Sequence, residues 1–204
     1  MKVIPLRSPG PVYSGWAYLL LGEWNRLEDV NALVDTGTDG GIVDLVRTLN
    51  TGIGKRQVDI VLLTHSHFDH AGGVGRVTAT YGCPVAAMTP TDGVTRVVHD
   101  GEILRLADRD AEIMACNEHS MDSMCIYVHG DGYLFTGDTP LFLRSTGGTY
   151  SDEFVSLLRR LTRLPVRAIY PGHDVPVFDG AQELIAETLA IVERELENSH
   201  PCAQ

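Results

Sequence analysis

Basic residues are scarce in this chain of 204 residues: 16 lysines and arginines stand against 27 aspartates and glutamates, for a formal net charge of −11. A phosphate backbone needs a basic face, so no nucleic-acid partner is expected, and an anionic membrane surface is excluded on the same ground. Long apolar runs are missing too. The run Ala17-Tyr18-Leu19-Leu20-Leu21 is far too short to span a bilayer. Pro5, Pro9 and Pro11 stand where a signal peptide would need an apolar core, so a cytoplasmic location is expected. Cysteine is sparse: Cys83, Cys116, Cys125 and Cys202 form no CxxC pair, which points to reduced, mostly buried thiols rather than a disulfide framework. No repeat, low-complexity tract or linker breaks the chain. Its length suffices to bury about 70% of the unfolded surface without disulfide staples. One domain over residues 1–204 is expected.

The chain does have short apolar runs punctuated by glycine turns. These predict strands at 12–21, 31–35, 58–63, 84–87, 103–107, 111–116, 124–129, 132–136 and 166–170. Gly130-Asp131-Gly132 between two such runs signals a hairpin. Helices are predicted at 41–50, 71–81, 152–164 and 181–198. Phe154, Leu157, Leu158, Leu161 and Leu164 form one apolar stripe, with Ser151 placed as its N-cap. Ile185, Leu189, Val192 and Leu196 form another.

The chemistry is concentrated in Thr64-His65-Ser66-His67-Phe68-Asp69-His70, directly after the apolar run 58–63. Burying three imidazoles and a carboxylate unpaired would be expensive, and their natural use is metal binding. His119, Asp138 and His173 stand in the same relation to three later apolar runs, each just beyond a strand's end. Strand ends can converge on one edge of a sheet. His65 and His67 alternate on an extended segment and so point the same way. A donor set of nitrogen and oxygen without cysteine suits zinc, with iron or manganese as alternatives.

Together with Asp35 in LVDTGT, Asp138 in LFTGDT and His173 in YPGHD, the THSHFDH string resembles the metallo-β-lactamase superfamily from about residue 12 to the last helix. The resemblance implies a four-layer αββα sandwich: two mixed β-sheets packed face to face, helices on the outer faces, metals at one edge. It implies that His65, His67 and His119 hold one divalent metal ion and that Asp69, His70 and His173 hold a second. Asp138 would bridge them, and Asp35 would support the site by hydrogen bonds. The implied activity is hydrolysis of a small-molecule thioester, ester or lactone by a metal-bridging hydroxide, with Asp69 or Asp138 handling a proton. The seven-ligand set is closest to glyoxalase II-like and lactonase-like members. A mononuclear non-haem iron enzyme resembling persulfide dioxygenases is the alternative. About thirty residues follow His173, which argues against a glutathione-gripping helical domain.

Glu118 and Asp122 flank His119 where many relatives have glycine, adding two carboxylates nearby. Gly72 and Gly73 are expected to let helix 71–81 begin close to the metals. Trp16, Phe68, Met121, Phe142, Arg144 and Tyr150 are candidates for lining the substrate pocket, by nearness in sequence to the ligand loops. His99, His129 and His200 match no motif and are read as surface or structural residues.

Overall fold

The strand Ala17–Leu21 (β2) is apolar and buried at every position, which requires cover on both faces. Strand geometry divides its side chains. Tyr18 and Leu20 face one core, whereas Ala17, Leu19 and Leu21 face another. That division defines the layers of the computed structural model, which describes residues 1–8, 12–143 and 149–199, with Ser199 described only in its backbone.

One sheet runs in the order Lys2–Leu6 (β1), β2, Ala32–Val34 (β3), Ile60–Leu62 (β4), Val85–Ala87 (β5), Arg96–Val97 (β6). Its pairs are antiparallel up to β3 and parallel from there on. The second sheet contains Ile103–Leu106 (β7), Arg109–Ala115 (β8), Met124–Val128 (β9), Tyr133–Gly137 (β10) and Ala168–Pro171 (β11), ordered β11-β10-β9-β8-β7. There β10 and β11 are parallel and the other pairs antiparallel. Leu20, Val34 and Leu62 from the first sheet meet Ile113, Ile126 and Phe135 from the second in the central core. Tyr18 ties the layers twice over: its ring packs edge-on against Phe135 and Tyr170, and its hydroxyl donates to the Pro171 carbonyl at 2.5 Å.

Helices Ile42–Arg47 (α1) and Val74–Tyr81 (α3) cover the outer face of the first sheet through Ile42, Val43, Val46, Val74 and Val77. Asp152–Leu161 (α4) and Ala181–Ser199 (α5) cover the second through Phe154, Leu157, Leu158, Leu161, Ile185 and Val192. The Ser151 hydroxyl caps α4 by accepting from the Phe154 amide. The αββα sandwich is therefore present as expected. Cys83, Cys116 and Cys125 are buried free thiols, and Cys202 and His200 lie outside the described residues. No helix among the described residues is long and apolar enough to cross a membrane.

Four expectations need correction. β1 is absent from the predicted strands; it is an edge strand, where the missing N–H of its Pro5 is tolerated. The two-residue β6 left no pattern to read. Only 17–21 of the predicted strand 12–21 pairs; residues 12–16 carry no regular structure. The predicted helix 71–81 is two helices, Phe68–Ala71 (α2) and α3, with Gly72 and Gly73 at their junction. A Cβ on Gly72 would collide with the carbonyl oxygens of Thr38 and Phe68, and one on Gly73 with that of Thr36. These glycines let the loop after β3 lie directly against the helix junction, which brings Asp35 to His70.

Candidate metal centre

The strands β3, β4, β8, β10 and β11 end at the same edge of the sandwich, and each delivers a polar residue just past its last pairing. All seven sequence-predicted site residues meet there. His65 Nε2 lies 3.1 Å from His67 Nδ1, which lies 2.9 Å from His119 Nε2. Beside this triad, His173 Nε2 lies 3.0 Å from Asp69 Oδ2 and 3.3 Å from His70 Nε2. Asp138 stands between the two. Its Oδ2 is 3.5 Å from His119 Nε2 and 3.3 Å from His173 Nε2, and its Oδ1 is 3.2 Å from His70 Nε2. Three groups of donor atoms, His65-His67-His119, His65-His70-Asp138 and Asp69-His70-His173, are each compact enough to hold one ion.

The far sides of two rings show which nitrogens are free. Asp35, buried, accepts from the Thr64 amide, the Thr64 hydroxyl and His70 Nδ1, each at 2.8 Å. Having donated to Asp35, the Thr64 hydroxyl can only accept from His65 Nδ1, 3.1 Å away. One carboxylate thus holds a proton on Nδ1 in both rings and turns both Nε2 atoms toward the centre. Asp35 sits at φ +60°, a left-handed conformation that aspartate tolerates better than most residues. Its contacts are to the Thr64 backbone and hydroxyl and to the Nδ1 side of His70, the side turned away from the other donors.

In the metal-free protein the two rings differ in charge. Burial, and then the charge of His70, push His65 down to about 4, so that it is a neutral imidazole at pH 7. Burial also lowers His119. Burial opposes a charge on His70, but Asp35 and Asp138 on either side outweigh it and hold His70 up at about 10. Burial would raise Asp138, yet His70 holds it down at about 2. The carboxylates create a negative field at a point where imidazole nitrogens face each other at 2.9–3.3 Å. Asp138 Oδ1 is buried and faces His70 Nε2 at 3.2 Å. Gly172 leaves room here, since a Cβ would strike Asp138 Oδ1 and His70. Converging imidazole nitrogens, a buried carboxylate oxygen among them and a backbone held clear of both fit divalent cations, which would displace the proton on His70 Nε2.

The pocket expectations fare less well. A cavity of about 240 Å³ opens beside the centre, lined by His119, Asp138, Thr139, Phe142, His173 and Asp174 among others. Of the six proposed lining residues only Phe142 is among them. Trp16 packs on the central core beneath Arg7, and Tyr150 packs on Phe154. Phe68 and Met121 are exposed, and Arg144 lies outside the described residues. The extra carboxylates beside His119 do not add charge to the centre as free groups. Glu118 accepts from the Ser151 amide and hydroxyl at the start of α4, and Asp122 accepts from the Ser120 hydroxyl. His99 is exposed, and His129 pairs with Glu112 at 3.2 Å, away from the centre. Sequence reasoning missed Thr64 and Tyr13. Adjacency to His65 could have suggested Thr64; nothing in the sequence marked Tyr13, whose hydroxyl lies 2.9 Å from His173 Nδ1.

Residues 10–173 match the metallo-beta-lactamase superfamily. A protein of Schizosaccharomyces pombe named probable hydroxyacylglutathione hydrolase is 31% identical over 183 residues, covering 85% of this chain and 69% of its own length. A hydroxyacylglutathione hydrolase of Maricaulis maris is 36% identical over 120 residues, 54% of this chain and 46% of its own. The chain thus spans between 46% and 69% of these relatives. Among solved structures, ETHE1 from Myxococcus xanthus shares the fold with a TM-score of 0.67 at 19% identity, covering 100% of both chains.

Proposed function

The chain belongs to the metallo-beta-lactamase superfamily, and from that premise we propose that it is a dinuclear metal-dependent hydrolase of small-molecule thioesters, with esters and lactones as related substrates. The observation that carries this reading is the place of Asp138, whose two oxygens face members of both triads. His65, His67 and His119 would hold one divalent ion; Asp69, His70 and His173 would hold the other; Asp138 would link them. Zinc is the proposed metal, with iron or manganese compatible with the same donors. When bound, such ions polarise a carbonyl and make water available as hydroxide at neutral pH.

The chain's own residues then have separable tasks. Asp35 holds the tautomers of His70 directly and of His65 through Thr64. Asp138, held at about 2, stays ionised and supplies charge. Asp69 and Asp138 are the carboxylates at the centre placed to handle a proton. The cavity beside His119 and His173 admits the acyl group, with Phe142 and Asp174 in its lining. Relatives named as hydroxyacylglutathione hydrolases and as a carboxyl ACP thioesterase make thioesters the first substrates to test.

One observation favours a second reading, the mononuclear iron enzyme. His65, His70 and Asp138 form a compact group of two imidazoles and one carboxylate, a donor set that suits non-haem iron. Both readings face the same experiment: thiol release from a panel of glutathione and other small thioesters, beside esters and lactones, by metal-loaded protein. The expected result is thioester turnover that Asp138→Ala abolishes while its circular dichroism stays that of the wild type. Wild-type rates in that variant, or no ester-type hydrolysis by protein carrying two ions, would sink the hydrolase reading. Oxygen uptake with a thiol or persulfide substrate would select the other.

A further inference from the structure

Asp35 does not reach the imidazole of His173, whose far nitrogen meets Tyr13 instead. The Tyr13 hydroxyl lies 2.9 Å from His173 Nδ1, and the two rings stack with centroids 4.9 Å apart and planes 20° apart. The opposite nitrogen, Nε2, points at Asp69 and Asp138. Tyr13 is 59% exposed, so burial does not hold it there.

The backbone does. The Tyr13 carbonyl accepts from the Thr38 hydroxyl at 2.5 Å, and the Ser14 carbonyl accepts from Arg7 Nε at 3.1 Å. The Gly15 amide donates to the Asp69 carbonyl at 3.0 Å, and the Trp16 amide to the Gly172 carbonyl at 2.6 Å. Residues 13–16 therefore form a strap fastened to the ligand segments of both Asp69 and His173.

We propose that Tyr13 is a positioning residue for the second metal: its phenol oxygen accepts the Nδ1 proton of His173 and its ring fixes the imidazole plane, leaving Nε2 as the ligand atom. The inference rests on the dinuclear reading. A ligand imidazole needs an acceptor at its other nitrogen, and loss of such a partner costs about 10–100-fold in metal affinity.

Tyr13→Phe keeps the stacked ring and removes only the oxygen. Stepwise zinc binding by full-length wild type and Tyr13→Phe, measured by chelator competition, tests the idea. The expected result is a first ion bound as in the wild type and a second weakened about 10–100-fold, with unfolding of the metal-free protein unchanged. Wild-type affinity for both ions in Tyr13→Phe overturns the role of Tyr13 while leaving the dinuclear reading standing. So does a variant that weakens both ions equally or loses thermal stability without metal, because that marks a general structural contact. A wild-type protein that takes only one ion overturns both.

Discussion

Replacing Asp35 with Asn tests how one carboxylate organises two ligand sets. The backbone should accept the change, because asparagine tolerates a φ of +60° about as well as aspartate. The hydrogen bonds should not. Oδ1 can keep the Thr64 amide, but an amide nitrogen in place of Oδ2 would face two donors, the Thr64 hydroxyl and His70 Nδ1–H. The clash is relieved if His70 moves its proton to Nε2 and the Thr64 hydroxyl turns to donate to His65 Nδ1. Both rings would then carry a proton on the nitrogen that faces the metals. Each lost bond to a charged acceptor is worth about 1.5–3 kcal/mol, so the metal-free protein should lose about 3 kcal/mol or more. Each ion should bind about 10–100-fold more weakly, or about 1.4–2.7 kcal/mol. Urea denaturation of metal-free protein reads the first quantity and chelator competition the second. Asp35→Ala should be still less stable, since alanine adds a left-handed backbone cost of about 1–2 kcal/mol. Asp35→Asn protein that binds two ions with wild-type affinity would refute the tautomer argument.

Other consequences follow from packing and capping. Gly72→Ala should destabilise by about 1–3 kcal/mol or more through its collision with the Thr38 carbonyl. Gly75→Ala, three residues on and with open space around it, should stabilise α3 by about 0.5–1 kcal/mol; paired denaturation curves of the two variants check both signs. Ser151→Ala should cost about 1 kcal/mol as a lost N-cap, measured by its thermal midpoint. It should also remove one of the two hydrogen bonds that Glu118 accepts there, so Glu118→Gln should cost less in the Ser151→Ala background than in the wild type, a coupling that a double-mutant cycle reads directly.

Much of the site was legible in the sequence because metal ligands obey local rules. Three imidazoles and a carboxylate in one segment have few other uses, and His119, Asp138 and His173 each follow an apolar run that could be read as a strand. The layers were legible for a similar reason: β2 and β9 are apolar throughout and demand two covered faces. What escaped depends on contacts between distant segments. Tyr13 meets His173 across 160 positions. The pocket wall could not be ranked from nearness to ligand loops, since Met121 turns outward while Thr139 and Asp174 turn in. The split between α2 and α3 is set by the Thr36–Gly40 loop pressing on Gly72 and Gly73, a tertiary contact that no helical period reveals.

In the proposed function these seven side chains make two adjoining metal sites joined by Asp138. Elemental analysis of protein purified without chelator or histidine tag tests it most directly. The expected result is about two divalent ions per chain, zinc foremost, falling to one or none in Asp138→Ala. A single iron per wild-type chain, or two ions undiminished in that variant, would contradict it.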